Sequence, residues 1–346
     1  MKINLTLAAA LMATSAFAEV PVVQVTAVTE SMPIIGDADD PAIWVHPTDP
    51  EASIVLGTDK YNGLHAFDLN GEELAFFGDG AVNNVDIREF SLNGEQVWLA
   101  SATERDADGI VFYVIRQDGS IERADPNYFD VLPDMPEGTK KIYGHAMGRD
   151  PATGRVWALA NFKTGHIAQY EVIDAGDGKI DIVLARVLKV ETQPEGMVFD
   201  DKEGHLYVGE EDVAIWRFPG LPEAGDDATE ITRIPSDCFP RDDIEGITLY
   251  DGAEGRYLVA SSQGIHRYGI FPLKGDDIPA CAGLVEIAAG DVDGVSETDG
   301  LDVVALPVGA NYPRGMLAVM DDQNEEFTTN FKFVSFGDVL DALNLK

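Results

Sequence analysis

Acidic side chains recur in one local frame of this sequence. Three of them precede a glycine and an apolar residue, in the segments EGM at 195–197, EGI at 245–247 and DGL at 299–301. Glycine at such a place allows a sharp turn or the close approach of a ligand. Carboxylates crowded around one opening repel each other unless a cation neutralises them. Because hard oxygen ligands favour Ca²⁺ or Mg²⁺ over Zn²⁺, the pattern predicts a divalent-metal site.

Three basic side chains, Lys60, Arg105 and Lys163, occupy corresponding places in the first half of the chain. Isolated surface ion pairing is one interpretation of them. Together with the acids, they indicate an anionic ligand held partly by basic groups and partly by metal ions. The sequence has no G-x-S-x-G elbow, no P-loop and no metal-ligand spacing among its six histidines. This favours direct attack by water over a covalent nucleophile.

Net charge restricts the possible partners. The chain has 61 Asp and Glu against 24 Lys and Arg, a formal charge of −37. A nucleic-acid-binding protein needs a basic footprint, so we expect no nucleic-acid partner. A surface this acidic serves solubility or binds cations. An anionic substrate would therefore need a cation to bridge it to the protein.

The elements that position these side chains are predicted to be strands almost throughout. Short runs rich in Val, Ile, Phe, Tyr and Trp alternate with turn signals such as NG at 70–71 and DG at 118–119. A four-strand unit recurs roughly every 45–60 residues, which is typical of a propeller. Its repeats cover residues 42–78, 85–123, 143–190, 195–235, 244–288 and the chain from 299.

We therefore predict an all-β, six-bladed β-propeller. The last group offers only three strands, and residues 20–29 are expected to complete that blade and so close the ring. A β-sandwich with a second domain is the alternative. In an up-and-down blade, the start of the first strand and the end of the second lie on one face, so the polar residues at those places should surround one mouth.

The N-terminal residues bear on export of the protein, and its two cysteines bear on covalent cross-linking. Residues 1–18 combine Lys2, an apolar run and a small-x-small end, AFA at 16–18, which predicts a signal peptide. Residues 19–346 are then a single propeller domain, secreted to the periplasm or the extracellular space, without a membrane span and monomeric. Cys238 and Cys281 form either one disulfide or two free thiols.

Six motifs in consistent order carry a family resemblance. They are DDPAIW at 39–44, NNVDIR at 83–88, EEDVAIW at 210–216, DIEG at 243–246, SSQG at 261–264 and TDG at 298–300. Over about residues 37–336 the chain resembles the β-propeller phytase family. The resemblance implies a six-bladed, calcium-dependent phosphoric monoester hydrolase of the 3-phytase type. Its substrate would be phytate (myo-inositol hexakisphosphate), often as the calcium complex.

The resemblance also implies roles for individual residues. Positions matching acids that bind several calcium ions or the catalytic metal-bound water are Asp40, Glu195, Glu211, Asp243, Glu245, Asp293, Asp299 and Asp321. Positions matching phosphate contacts are Lys60, Arg105, Tyr143 and Lys163, with Gln263 a polar position near the site. The residues expected to act in catalysis are Lys60, Arg105, Tyr143, Lys163, Glu211, Asp243 and Glu245. Asn84 and Asp86 lie in a matching motif without a definite role.

Two positions depart from the family pattern. Tyr61 follows Lys60 where the family often has a second lysine, and Thr164 follows Lys163 where it often has glutamate. The first change removes a cation near a second phosphate, and the second removes one possible metal ligand.

The mechanism predicted from these residues is phosphomonoester hydrolysis by metal-activated water, without a covalent enzyme intermediate. The basic residues would stabilise charge on the transferring phosphoryl group. Two alternatives remain open: a metal-dependent propeller lactonase, which has no need of three cations beside an acidic mouth, and a non-enzymatic, calcium-stabilised binding propeller.

Overall fold

Strands and tight turns form nearly all of the described chain. A computed structural model describes residues 20–324 and 328–345, and the expected signal peptide at 1–18 lies outside these ranges. Twenty-five strands and one α-helix occur in the described ranges. Two strands precede the first blade, β1 (Val22–Thr26) and β2 (Thr29–Glu30).

The remaining strands form six blades in chain order, each antiparallel within itself. A single parallel bridge between Asp125 and Lys179 joins the outer strands of blades two and three. Blade one has β3 (Ala38–Trp44), β4 (Ile54–Asp59), β5 (Gly63–Phe67) and β6 (Glu73–Phe77). Blade two has β7 (Val82–Leu92), β8 (Glu95–Glu104), β9 (Gly109–Ile115) and β10 (Ile121–Asp130). Blade three has β11 (Ile142–Arg149), β12 (Val156–Phe162), β13 (His166–Gly176) and β14 (Lys179–Lys189).

Blade four has β15 (Pro194–Asp200), β16 (His205–Glu210), β17 (Ala214–Pro219) and β18 (Thr229–Arg233). Blade five has β19 (Ile244–Gly252), β20 (Gly255–Ser262), β21 (Arg267–Pro272) and β22 (Gly283–Ala288). Blade six has β23 (Leu301–Val304), β24 (Met316–Asp321) and β25 (Asn330–Ser335), followed by α1 (Phe336–Ala342).

The first strands of the blades close the ring. Each contacts the first strand of the next blade, and β23 returns to β3. Short 3₁₀ helices occur in the connections at Pro50–Ala52, Leu132–Asp134, Pro222–Ala224 and Gln263–Ile265. The predicted six-bladed, all-β architecture is confirmed. None of the helices in the described ranges is long and apolar enough to cross a membrane.

The N-terminal segment completes the last blade, but in a different way from the single strand expected over residues 20–29. Only β2 joins blade six, where Thr29 pairs with Phe333. β1 instead runs parallel to β22 as a fifth strand of blade five. Val25 and Ala27 are buried in a cluster that includes residues of both blades and of α1. The segment divides between two blades because this packing covers the edge strand of each.

A disulfide links Cys238, in the connection from blade four to blade five, to Cys281 between β21 and β22. The two residues are 43 positions apart, so the bond restricts a loop of moderate length in the unfolded chain. The pairing left open by the sequence is thus a disulfide in this structure.

Removing this disulfide is expected to lower the free energy of unfolding by about 4 kcal/mol, the value that chain entropy gives for a loop of this length. Chemical denaturation of a Cys238→Ser/Cys281→Ser variant measures the change. The chain has two cysteines, so reduction of the wild type provides a matched control. An unchanged unfolding free energy in both experiments would contradict the prediction.

Candidate active site

A register shift recurs at the start of the first strand in five of the six blades. It falls between Ala38 and Pro41 in β3, and equivalent shifts occur in β7, β11, β15 and β19. Such bulges change the direction of side chains and often lie beside functional sites. Here each bulge contains a polar residue of the mouth: Asp39, Asn83, Tyr143, Glu195 and Glu245. Asp299 occupies the corresponding place just before β23.

The glycines beside these residues pack one blade against the next. A Cβ added to Gly144 or Gly196 would lie 2.0 Å from the carbonyl oxygen of Glu195 or Glu245, respectively. At Gly300 it would lie 2.4 Å from the carbonyl oxygen of Asp39. The acid-glycine frame therefore reflects close backbone contact between blades rather than space for a ligand.

Five carboxylates converge at the mouth and form what we call the acidic basin: Asp39, Glu195, Glu211, Glu245 and Asp299. They make two overlapping groups of three that share Glu195. In each group, one oxygen from every residue lies within 4.8 Å of the others. Glu211 is half-buried and the other four are buried, so each group places three carboxylates within reach of one ion.

Burial changes the protonation of the basin. It raises the pKa of Asp39 to about 7, helped by Asp299 and opposed by Lys60. It raises the pKa of Glu211 to about 8, with a further contribution from the charge of Glu195. The pKa of Asp299 rises to about 6 because its burial outweighs the attraction of Lys60. Near neutral pH the basin as a whole therefore keeps some protons that a bound cation would displace.

The donor atoms of the basin fit a hard divalent cation. All are carboxylate oxygens, the ligands that Ca²⁺ prefers. Asp39 Oδ2 and Glu245 Oε2 are buried and form no hydrogen bond with the described part of the protein. Buried polar atoms are nearly always satisfied, and a bound cation would satisfy these two.

Basic and aromatic side chains form one wall of the basin. The ammonium of Lys60 lies 2.7 Å from Asp39 Oδ1 and 3.0 Å from Asp299 Oδ2. The Tyr143 ring centre lies 3.7 Å from Lys163 Nζ and 5.7 Å from the Arg105 guanidinium carbon, which are cation-π distances. The predicted phosphate-contacting residues thus come together beside the acidic basin.

Two amide side chains that we did not assign to the site connect its parts. Asn83 donates to Glu195 Oε1 at 3.1 Å and accepts from Arg105 Nη1 at 3.3 Å. Gln193 donates to Glu211 Oε1 at 2.5 Å. Asn83 lies at the start of the first strand of blade two, one of the places expected to surround the mouth, but no role was predicted for it. Gln193 lies outside that frame, and nothing in its local sequence indicates this contact.

Asp39 was also missing from the predicted metal ligands, which included its neighbour Asp40. The bulge in β3 directs Asp39 into the basin. Asp40 Oδ2 instead accepts from the backbone N–H of Val85 at 3.0 Å, and Asp40 lines the central channel. The two adjacent acids therefore lie in different places, Asp39 in the acidic basin and Asp40 beside the channel between the first strands of the blades.

Two other predicted metal ligands lie in a separate cluster. Asp293 and Asp321 surround the ammonium of Lys332, together with Glu30. Lys332 is fully buried, and its pKa is raised by these acids against the effect of its burial. Asp293 and Asp321 thus share Lys332 as a cationic partner. That they also bind a metal ion stays a prediction.

Asp243 and Gln263 lie at the edge of the basin. Asp243 forms a third group of carboxylates with Asp212 and Asp242. Burial and the neighbouring Asp212 raise the pKa of Asp243 to about 6. Gln263 borders a depression together with Lys60 and Asp299. Their predicted roles, a metal ligand for Asp243 and a substrate contact for Gln263, stay predictions.

Asn84 and Asp86 are not brought into the basin. Asn84 accepts from Asn83 at 2.8 Å, and Asp86 is paired with Arg88 at 2.7 Å in the central channel. Two glutamates that end second strands of blades are also held by other groups. Glu210, at the end of β16, accepts from Trp216 Nε1 at 2.8 Å. Glu104 accepts from the backbone N–H of Ala107 at 2.8 Å. These side chains form hydrogen bonds and ion pairs within the strands and loops around the site.

Comparisons with known proteins agree with this geometry. The model of a family described as Phytase matches residues 2–346. The chain is similar to a 3-phytase of Bacillus subtilis (strain 168), with 37% identity over 334 residues, covering 92% of this chain and 85% of that protein. It also has the fold of a calcium-binding protein, regucalcin, from Agrobacterium tumefaciens strain C58, with a TM-score of 0.50 and 13% identity. That match covers 91% of this chain and 96% of the regucalcin chain, and it shows the fold alone.

Proposed function

This chain belongs to the phytase family and is a phosphoric monoester hydrolase of phytate, and we propose that it works at the acidic basin with several bound calcium ions. The observation that carries this proposal is the convergence of five carboxylates beside three basic side chains. Calcium ions held there would neutralise phosphate oxygens and lower the pKa of a coordinated water molecule. The excess of acidic residues explains why so anionic a substrate needs a cation.

The chain's own residues then divide into two functions. The acidic basin holds the ions, and Asp243 adds a carboxylate at its entrance. Arg105, Lys163 and Lys60 supply the positive charge that stabilises the transferring phosphoryl group. The Tyr143 ring keeps Arg105 and Lys163 on one side of the substrate. The basic wall favours a phosphate ester over a lactone. The two buried carboxylate oxygens without a hydrogen bond to the described part of the protein, Asp39 Oδ2 and Glu245 Oε2, favour an ion-dependent enzyme over a binding module.

Measurement of phosphate release from phytate tests this proposal. We expect release at pH 6 to 9 with added Ca²⁺, and loss of release when a chelator is added. No release at any of these pH values would overturn it.

We further propose direct attack by water, because no serine or cysteine nucleophile is indicated by the sequence. Acid quenching during turnover of radiolabelled phytate should leave no label on the protein. Label retained on the denatured chain would instead show a phosphorylated enzyme intermediate.

The cellular location, oligomeric state and domain organisation of the enzyme are further parts of the proposal. The expected leader at residues 1–18 and the disulfide suit an oxidising compartment outside the cytosol. We propose a secreted, monomeric enzyme with a single propeller domain over residues 19–346. It would act on calcium-phytate in the periplasm or the extracellular space.

A further inference from the structure

The turn that carries Lys60 is built around a buried aspartate. Lys60 lies between β4 and β5, directly after Asp59, the last residue of β4. Asp59 is only 1% exposed. Its Oδ1 accepts from the backbone N–H groups of Tyr61 at 2.9 Å and Asn62 at 3.2 Å, and its Oδ2 accepts from Asn62 Nδ2 at 2.8 Å. One carboxylate therefore fixes the two residues that follow Lys60.

Asp59 also joins this turn to the segment that enters β3. The backbone N–H of Asp37 donates to Asp59 Oδ1 at 3.2 Å, and that of Lys60 donates to the Asp37 carbonyl oxygen at 2.8 Å. A Cβ on Gly36 would lie 2.0 Å from Asp59 Oδ2, so the close approach of this segment requires glycine. Asp39 lies two residues beyond Asp37, and its Oδ1 is 2.7 Å from the Lys60 ammonium. The carboxylate thus fixes both backbone segments that carry this ion pair.

His65, on β5, lies beside Asp59 and helps to keep it ionised. Its Nε2 is 3.8 Å from Asp59 Oδ2, and its Nδ1 is 2.7 Å from Glu73 Oε2 on β6. The imidazole stacks on the Phe67 ring with an angle of 8° between the planes. Burial alone would raise the pKa of Asp59, but the imidazole, the Asn62 amide and the backbone N–H groups lower it to about 2. Asp59 is therefore a carboxylate, which only accepts hydrogen bonds, over the whole range from pH 6 to 9.

We propose that Asp59 is a positioning residue for phosphate hydrolysis, because it holds the turn from which the Lys60 ammonium reaches the acidic basin. The proposal rests on the proposed function, in which Lys60 stabilises charge on the transferring phosphoryl group, and it assigns Asp59 an effect through Lys60 alone. Lysine places its charge on a flexible four-carbon chain, so the backbone beneath it must be fixed. A displacement of about 1 Å can cost on the order of 100-fold in rate.

Two substitutions at Asp59 separate its hydrogen bonds from its charge. Asp59→Ala removes all four hydrogen bonds to the turn and to Asp37, and we expect kcat for phosphate release from phytate with Ca²⁺ to fall about tenfold to 100-fold. Asp59→Asn keeps an oxygen acceptor for the backbone N–H groups and should retain kcat within about threefold. An Asp59→Asn enzyme as impaired as Asp59→Ala would overturn the proposal.

A double-mutant cycle shows whether Asp59 acts through Lys60. Lys60→Ala alone should lower kcat by about 100-fold. Adding Asp59→Ala to it should change kcat by less than about twofold, because the group that Asp59 positions is already absent. A merely structural role would give the same loss in both backgrounds, and that result would also overturn the proposal.

Asp68→Ala is the matched control. Asp68 lies at the other end of β5, where its Oδ1 accepts from the backbone N–H groups of Asn70 at 2.8 Å and Glu72 at 3.0 Å. The substitution removes the same kind of hydrogen bonds from a turn of the same blade that is remote from the basin. It should lower the melting temperature and leave kcat unchanged. A loss of kcat equal to that of Asp59→Ala would contradict a specific role for Asp59.

The chemical reactivity of Lys60 tests the inference without reference to turnover. Reductive methylation of the full chain with formaldehyde, read by mass spectrometry, measures how firmly the ammonium is held. The Lys60 side chain is 15% exposed in its pair with Asp39, and in Asp59→Ala it should react about threefold to tenfold faster, since a fall of about one in its pKa changes the reactive fraction about tenfold. Lys202, 58% exposed, should react at the same rate in both proteins.

This measurement also separates the inference from the proposed function. An unchanged Lys60 rate in Asp59→Ala would overturn the inference even if the wild type hydrolyses phytate. A faster rate in Asp59→Ala, with the wild-type rate in Asp68→Ala, would support it even if the wild type released no phosphate.

Discussion

Arg105→Ala is expected to lower kcat for phosphate release from phytate by about 100-fold to 1000-fold, the usual loss for one donor that stabilises transition-state charge. Arg105 is half-buried beside the Tyr143 ring. Its guanidinium presents several donors in a fixed plane, which suits the oxygens of a phosphoryl group. Alanine removes both the charge and this geometry from the basic wall.

The fold should tolerate this substitution. Within the described ranges, the Arg105 side chain forms one long hydrogen bond, to Asn83 at 3.3 Å, and has no carboxylate within 4.0 Å. Its backbone N–H bond to Ala81 is retained in alanine. We therefore expect the melting temperature to change by no more than about 2 °C.

Arg116→Ala provides the control for Arg105. Arg116 is a partly exposed arginine that follows β9 and pairs with Glu95 and Glu122 at the surface. Surface pairs of this kind contribute little to stability, so both kcat and melting should stay near the wild-type values. Arg105→Lys keeps the charge without the planar donors and should show an intermediate kcat. An Arg105→Ala protein that unfolds would show that the residue is structural.

Removal of calcium is the second large expected effect. Chelation should reduce turnover by more than about 100-fold, because the ions supply most of the charge stabilisation. It should also lower the melting temperature by about 5 to 10 °C, since a ligand that binds only the folded state stabilises it by a few kcal/mol. Differential scanning calorimetry and phosphate release, each with and without a chelator, measure the two effects.

The free energy of unfolding of the calcium-free protein should decrease as pH rises. In the calcium-free protein, the pKa values of Asp39 at about 7, Glu211 at about 8 and Asp299 at about 6 exceed those of ordinary carboxyls. Between about pH 4 and pH 8 the folded chain then binds more protons than the unfolded chain, so the stability present below about pH 4 is lost progressively over that range. Added Ca²⁺ should remove most of this decline. A calcium-free protein that is more stable at pH 8 than at pH 5 would contradict the argument.

Glu245→Gln tests whether the basin is the source of this calcium requirement. Glu245 Oε2 is buried without a hydrogen-bond partner, and the substitution removes one charge from the crowded group. We expect a higher calcium concentration for half-maximal activity and a smaller decline of calcium-free stability at pH 8. Glu122→Gln, on the outer strand β10, removes the same charge away from the site and should change neither.

The sequence by itself determined the number of blades and most of the residues of the acidic basin and the basic wall. Repeated strand groups separated by turn residues predict a propeller because each blade is built from local hairpins. Acids at Glu195, Glu245 and Asp299, each in the same frame, indicated one mouth. Lys60, Arg105 and Lys163 lie at strand ends, where the direction of the chain alone places them on that face. These features depend on short-range patterns and on the order of elements.

Only the tertiary structure decided which neighbouring side chain enters the basin. Side chains alternate between faces along a strand, and one inserted residue reverses the alternation. The bulge in β3 therefore selects Asp39 for the basin and turns Asp40 towards Val85. Contacts between blades, such as Gly300 with the backbone of Asp39, join positions more than half the chain apart and leave no periodic pattern.

Pairing between distant segments was also decided by tertiary packing. Lys332 draws Asp293 and Asp321 into its own cluster because a buried ammonium needs acidic partners. The N-terminal segment divides between blades five and six because both edges require cover. Thr164 accepts from the backbone N–H of Lys140 and from the ammonium of Lys189, and so joins two segments of blade three that are distant in sequence. Composition shows that basic side chains are few in this chain, and the fold determines which of them lie close together.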